Sequence, residues 1–329
     1  MDREESTLVK GIAILMMLFL HLFCFSDRCD YLIFIDNVPL LTMLTEAANP
    51  VPFFLLVSGY GLYSAYLKGD NNRYYRIVKL YIHYVTIFLV FFLIRWIVDG
   101  STSISFLDFI MNLLSYKTSI APICWFLFPF MILSLLSKFF FKILDKYGIV
   151  YPLIISWGMF CVSMIMLSRY GLFISKYNLI KQLICVFNLQ FPFLLGAVVY
   201  KEQWYMKIRK RLKNRILCVI LIMMLVLLMV LIKIDLLNPL YAFFMIPPLL
   251  EVIRGNFIRK FLSCLGKHSM NIWMIHGWFC YYIFGDELYS LRCPLLIFSS
   301  CLLLSFCSSI LIDKITKPIE GLLCRQRGI

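Results

Sequence analysis

Along this chain apolar residues do not alternate with polar ones. They run unbroken for about twenty positions at a time, separated by short stretches that hold most of the charge. Inside a bilayer every backbone group must be satisfied internally, so only helices and closed barrels cross it. Barrel strands would alternate apolar and polar positions over about ten residues, so the unbroken runs predict helices. A spanning helix needs about 20 apolar residues, and ten segments fit: 8–26, 50–67, 77–98, 121–143, 150–168, 180–200, 215–234, 237–253, 268–284 and 294–313. The seventh is the purest, nearly all Leu, Ile, Met and Val from Ile216 to Ile232. The eighth is interrupted by Asn238-Pro239 and Pro247-Pro248. Segment 39–48, just before the second span, reads as an interfacial or re-entrant piece. The expected fold class is an all-α polytopic integral membrane protein with about ten transmembrane helices.

Composition strengthens that reading. Of 329 residues, 62% are hydrophobic and 15% charged, with mean hydropathy +0.85, whereas a soluble domain carries about 25% charge. Disorder, a disulfide-stapled mini-protein and a soluble two-domain enzyme are excluded. The charge is lopsided, 32 Lys and Arg against 18 Asp and Glu, a net +14. With the N-terminus inside, 24 of the 32 basic residues fall in the inner segments 1–10, 68–79, 138–146, 201–215, 254–267 and beyond 313. That bias follows the positive-inside rule, so both termini are expected in the cytoplasm and no nucleic-acid partner is needed to explain the excess. The run 201–215 reads as a loop that fixes topology rather than as a lipid- or nucleotide-binding patch. The first span lacks a small-residue cleavage site and is followed by many more, so it is not a cleaved signal.

Most of the 12 cysteines lie inside apolar spans and act as small hydrophobes. No CxxC occurs and no Cys/His cluster has zinc spacing, so no metal is expected. Cys29 and Cys293 both fall in outer segments, and a disulfide between them is open but disfavoured. The four histidines are His21, His83, His268 and His276. An ionisable group within a span is costly and marks a functional hypothesis; the alternative for His21 is a neutral ring hydrogen-bonded between helices. Lys10 lies eleven residues earlier. Eleven helical steps end about 20° past three full turns and span about 16 Å, so the two side chains share a face. A cation at the cytoplasmic mouth and a proton-transfer group deep in the membrane suit a ligand with an anionic head and a thin reactive arm. Coenzyme A has that shape.

The stretch Lys10-Gly11-Ile12-Ala13-Ile14 through His21 resembles the first-span signature of the bacterial membrane acyltransferase-3 family, an Arg, ten residues and a His. Lysine here keeps the charge of the usual arginine but loses its bidentate fork. Four further stretches are similar to that family: Pro52-Phe53-Phe54-Leu55-Leu56-Val57-Ser58-Gly59-Tyr60; the basic residues Arg73, Arg76 and Lys79; Cys124-Trp125-Phe126-Leu127; and 265–276, Leu265-Gly266-Lys267-His268-Ser269 through His276, with Trp273 for the usual Tyr. The resemblance runs in order from the first span to the ninth. It implies one transmembrane domain over 1–329 with no appended soluble domain. It also implies transfer of an acyl group, commonly acetyl, from cytoplasmic acyl-CoA to a hydroxyl of a surface or lipid-linked carbohydrate at the bacterial cell membrane.

On that reading His21 is the general base, with an acyl-histidine intermediate as the alternative. Lys10, Arg73, Arg76 and Lys79 would hold the CoA phosphates, although the last three are equally well explained as topology-setting charge. Ser58 beside Gly59 reads first as a close helix approach; a donor role for Ser58 or Tyr60 toward the thioester oxygen is the alternative. Trp125 would line the pantetheine channel or anchor the interface. Ser269 and His276, seven residues apart, share a face, with His276 a second acid–base group or, by a small margin, a packing residue. His83 reads as structural. The rival function is a non-enzymatic exporter of polysaccharide or lipid-linked glycan, disfavoured because the broken eighth span has no matching partner in the other half. Neither the acceptor nor the acyl chain length is legible.

Overall fold

The computed structural model describes residues 1–70, 72–100 and 104–325. In chain order the helices are α1 Arg3–Phe23, α2 Leu40–Leu44, α3 Val51–Leu67, α4 Arg73–Asp99, α5 Phe106–Leu113, α6 Leu127–Tyr147, α7 Val150–Ile174, α8 Asn178–Lys201, α9 Trp204–Arg211, α10 Arg215–Ile232, α11 Asn238–Val252, α12 Asn256–Gly277, α13 Gly285–Tyr289 and α14 Pro294–Arg325. The only sheet among the described residues is a hairpin, β1 Phe34–Ile35 against β2 Val38–Pro39, antiparallel. Asp36 and Asn37 turn it with φ of 49° and 63°, the left-handed conformation that short polar residues tolerate best.

The protein is therefore an all-α polytopic membrane protein. Eight stretches of the described chain are long and apolar enough to cross a membrane, and they fall on eight of the ten expected segments. The other two are helical but different in character: α11 has only 15 residues, and α12 carries Arg259 and Lys260 in its first half and Lys267 just beyond it. Several boundaries move, α12 among them, which starts at Asn256 rather than 268. α1 starts at Arg3 rather than 8, because Asp2 and Glu5 form a capping box in which Glu5 N–H donates to Asp2 Oδ1 (2.8 Å) and Asp2 N–H to Glu5 Oε2 (3.0 Å). Its end at Phe23 then puts His21 in the last turn instead of mid-span. α14 continues twelve residues beyond the expected end at 313, to Arg325. Segment 39–48 is a strand end, α2 and a 3₁₀ turn leading into α3. Cys29 and Cys293 are both free thiols.

The chain divides into two compact units. The first comprises 1–13, 49–74 and 126–266. Its packing depends on glycine. A Cβ on Gly59 of α3 would run into the Phe193 carbonyl of α8, and one on Gly196 of α8 would run into that of Leu56. Gly11 of α1 and Gly266 of α12 are placed in the same way against Leu262 and Thr7. Small residues are what let membrane helices approach this closely. Charge clamps finish the unit: Arg209 of α9 reaches Glu5 (2.6 Å) and Glu251 (2.7 Å), and Asp145 of α6 accepts from Tyr63 (2.6 Å) and Lys201 (2.8 Å). α10 by contrast leaves most of its side chains exposed, as a helix bathed in hydrocarbon does.

The second unit comprises 14–48, 75–125 and 267 onward. A buried polar network joins α4, α12 and α14. His83 Nε2 donates to Glu320 (2.6 Å), and its Nδ1 faces the side-chain oxygen of Asn271 (2.7 Å). Asn271 donates to Asp313 (2.7 Å), His268 Nδ1 lies 2.9 Å from Ser309 Oγ, and Lys79 donates to Glu320 (2.6 Å). Buried charges persist only when paired in this way.

Candidate active site

His21 is half-buried at the end of α1, within the second unit. Its partner comes from an irregularity. After Gly277, α12 widens into a π turn, Trp278–Tyr282, closed by Ile283 N–H donating to the Trp278 carbonyl (3.1 Å). Single π turns recur at functional sites, and this one presents Tyr281 to His21. The Tyr281 hydroxyl donates its only proton to the His21 backbone carbonyl. The same oxygen is 3.3 Å from His21 Nδ1, so at that contact it accepts. The hydrogen-bond pattern thus assigns the ring proton to Nδ1 and leaves Nε2 with a bare lone pair.

His276, fully buried on α12, stands beside it with ring centroids 5.2 Å apart. Its Nδ1 donates to the Ile272 carbonyl (3.0 Å), and its Nε2 has no hydrogen-bond partner among the described residues. Two imidazoles thus lie side by side, each with Nδ1 engaged. Cys24 Sγ is 4.0 Å from the Tyr281 hydroxyl. Arg28 lies over Tyr281: its guanidinium carbon is 5.2 Å from the centre of that ring, 4.2 Å from that of Phe25 and 5.2 Å from that of Tyr289. Tyr289 donates to the Leu22 carbonyl (3.2 Å), which ties α13 to the end of α1. Burial pushes the Tyr289 phenol above its ordinary value, so the ring stays neutral beside the cation.

The other sequence-predicted residues distribute as follows. Lys10 is half-buried next to the glycine crossing at Gly11, in the first unit. Arg73, also in the first unit, donates to the Leu135 carbonyl (3.4 Å) and lies over the Tyr74 ring. Arg76 is exposed in the first turn of α4, and Lys79, one turn on, is paired with Glu320. Tyr60 donates to the Met1 carbonyl (2.9 Å) and accepts from the N-terminal ammonium (2.8 Å), and Ser58 is half-buried one residue before the crossing glycine. Trp125 is half-buried in the 3₁₀ turn Pro122–Phe126. That turn is pinned at Ile123, whose N–H donates to Tyr282 (3.0 Å) and whose carbonyl accepts from Trp273 (3.3 Å). Ser269 is buried on α12.

His21 and His276 are the two that come together. Sequence reasoning missed Tyr281, Arg28 and Tyr289. Tyr281 sits in the aromatic run Trp278-Phe279-Cys280-Tyr281-Tyr282, and a π turn resets the helical spacing by which its facing could have been counted. A family model described as an acyltransferase domain, that of the acyltransferase-3 family, matches residues 3–314. No curated protein and no solved structure matches the chain.

Proposed function

The chain belongs to the acyltransferase-3 family, and from that premise we propose that it moves an acyl group, acetyl in the first instance, from cytoplasmic acyl-CoA to a hydroxyl of a surface or lipid-linked carbohydrate at a bacterial cell membrane. As a membrane acyltransferase acting on groups other than aminoacyl ones, it is an enzyme, and the exporter reading is set aside.

The state of the His21 ring supports this most. A base must offer one nitrogen lone pair and hold the other nitrogen still, and Tyr281 does the holding. In the proposed step His21 Nε2 takes the proton of the acceptor hydroxyl as that oxygen attacks the thioester carbonyl. The tetrahedral adduct collapses with loss of the C–S bond, and the imidazolium returns the proton to the departing thiolate. The products are the acyl ester and CoA thiol, with no net change in protons. α1 carries Lys10 eleven residues before His21, about 16 Å of helical rise, so a phosphate group at Lys10 leaves the length of a pantetheine arm to the imidazole. Arg73 and Arg76 are the further cations for the phosphates. Lys79 enters only through its pair with Glu320.

The test is label transfer from radiolabelled acetyl-CoA to membrane glycan in vesicles. His21→Ala is expected to lower incorporation by at least about 10²-fold with unchanged expression and melting. Lys10→Ala should raise the KM for acetyl-CoA, and Lys10→Arg should preserve it. Full activity of His21→Ala would overturn the base assignment, and a change in the acceptor KM alone for Lys10→Ala would overturn the phosphate contact.

A further inference from the structure

Among the half-buried arginines of the described residues, Arg28 and Arg73 lack a carboxylate partner, and Arg73 lies over one ring and donates to the Leu135 carbonyl. Arg209 is held by Glu5 and Glu251, Arg259 by Glu4, and Arg95 by Asp99. Arg28 has no carboxylate within ion-pair distance among the described residues, although Asp27 and Asp30 flank it closely in the same loop, exposed. Three rings surround it instead: Phe25, Tyr281 and Tyr289. Aromatic faces stabilise a guanidinium and strip part of its water; the Tyr289 hydroxyl accepts one hydrogen bond from it, and the remaining N–H groups of its planar fork match an oxyanion.

The position matters as much as the state. Tyr281 is the ring that Arg28 covers, and Tyr281 also holds His21, ring centroids 5.8 Å apart. The guanidinium carbon therefore stands at most about 11 Å from the His21 imidazole centroid. A charged group and a hydroxyl on the same or adjacent sugar residues bridge such a distance. Arg28, Tyr281 and His21 all belong to one compact unit, and Tyr289, which completes the cage, is itself fixed to the backbone at Leu22.

We infer that Arg28 is the seat of an anionic group on the acceptor, a carboxylate or phosphate carried on the acylated sugar or its neighbour. The cage holds the guanidinium ready, the anion supplies its counter-charge, and the acceptor hydroxyl is thereby delivered toward His21. Calling this ligand the acceptor rests on the acyl-transfer reading; the anion site itself does not.

Saturation-transfer NMR on the purified chain in detergent tests it, with methyl glucuronide, glucose 1-phosphate and methyl glucoside as probes. At least one of the two anionic sugars is expected to receive saturation strongly and methyl glucoside weakly. Whichever of the two binds names the group as carboxylate or phosphate. Arg28→Gln should weaken the bound anionic sugar by about 10- to 100-fold and leave methyl glucoside where it was. Arg28→Lys retains the charge without the fork, so it should bind with intermediate strength, and it serves if Arg28→Gln does not fold. Equal binding of the neutral sugar, no binding of either anion, or undiminished anion binding by both variants overturns the proposal. Thiol release from acetyl-CoA is followed in parallel. Its absence in the wild-type chain, with the anion site intact, would count against the acyl-transfer reading and leave Arg28 standing.

Discussion

A histidine serves as a base only while one nitrogen stays bare, and in His21 this is arranged by a single phenol. The Tyr281 hydroxyl gives its proton to the His21 carbonyl and so has only a lone pair left for Nδ1–H. Tyr281→Phe removes both bonds. The ring can then take the other tautomer or turn, and the lone pair no longer faces one direction. In a serine-protease triad the wrong tautomer costs about 10⁴-fold. Here the packing of His276 still limits the ring, so a loss of about 10- to 100-fold in kcat is expected, with the KM for acetyl-CoA unchanged. A KM change without a kcat change would assign Tyr281 to binding. His21 itself was legible in the sequence, because a histidine in an apolar run is conspicuous. Tyr281 was not, since a tyrosine in an aromatic run is ordinary and the π turn that aims it leaves no pattern.

Helix crossings decide the next scale, and one pair of glycines isolates the effect. Gly59 and Gly61 both lie in α3, two residues apart and so on different faces. A methyl on Gly59 meets the Phe193 backbone, whereas a methyl on Gly61 meets nothing within 4 Å. Gly59→Ala is therefore expected to destabilise by about 1–3 kcal/mol, as overpacking does, and Gly61→Ala to be neutral or mildly stabilising. Thermal melting in detergent checks both, and equal melting temperatures would show that α3 and α8 yield at this crossing. The span pattern and the close approach at Ser58-Gly59 could be read from the sequence, because both depend on residue type along one helix. The ends were harder. The Asp2–Glu5 box starts α1 ahead of its apolar run, and α14 runs through Asp313 and Glu320 because partners far away in sequence hydrogen-bond their carboxylates. Hydropathy sees the charges and not those partners, so it stops the helix at the first of them.

Over the whole molecule the same partners account for where the acidic side chains go. Glu4, Glu5, Glu251, Asp145 and Glu320 are each spent on a cation, and the chain still carries an excess of +14. Pairing therefore does not remove the asymmetry on which the orientation rests, 24 of the 32 basic residues on one side of the predicted membrane. The densest part is α9 with its flanks, where Lys207, Lys210 and Arg211 are exposed, while Cys293 is exposed in the predicted outer segment before α14. Translocating such a basic cluster is disfavoured, so α9 is expected in the cytoplasm. Two variants test this in intact cells with a membrane-impermeant maleimide: one that retains only Cys293, and one without native cysteines that carries Lys210→Cys. Cys293 should label from outside, and Lys210→Cys only after the membrane is opened. The reverse pattern would invert the molecule, place Lys10 at the outer surface, and remove the cytoplasmic entry that acyl-CoA requires.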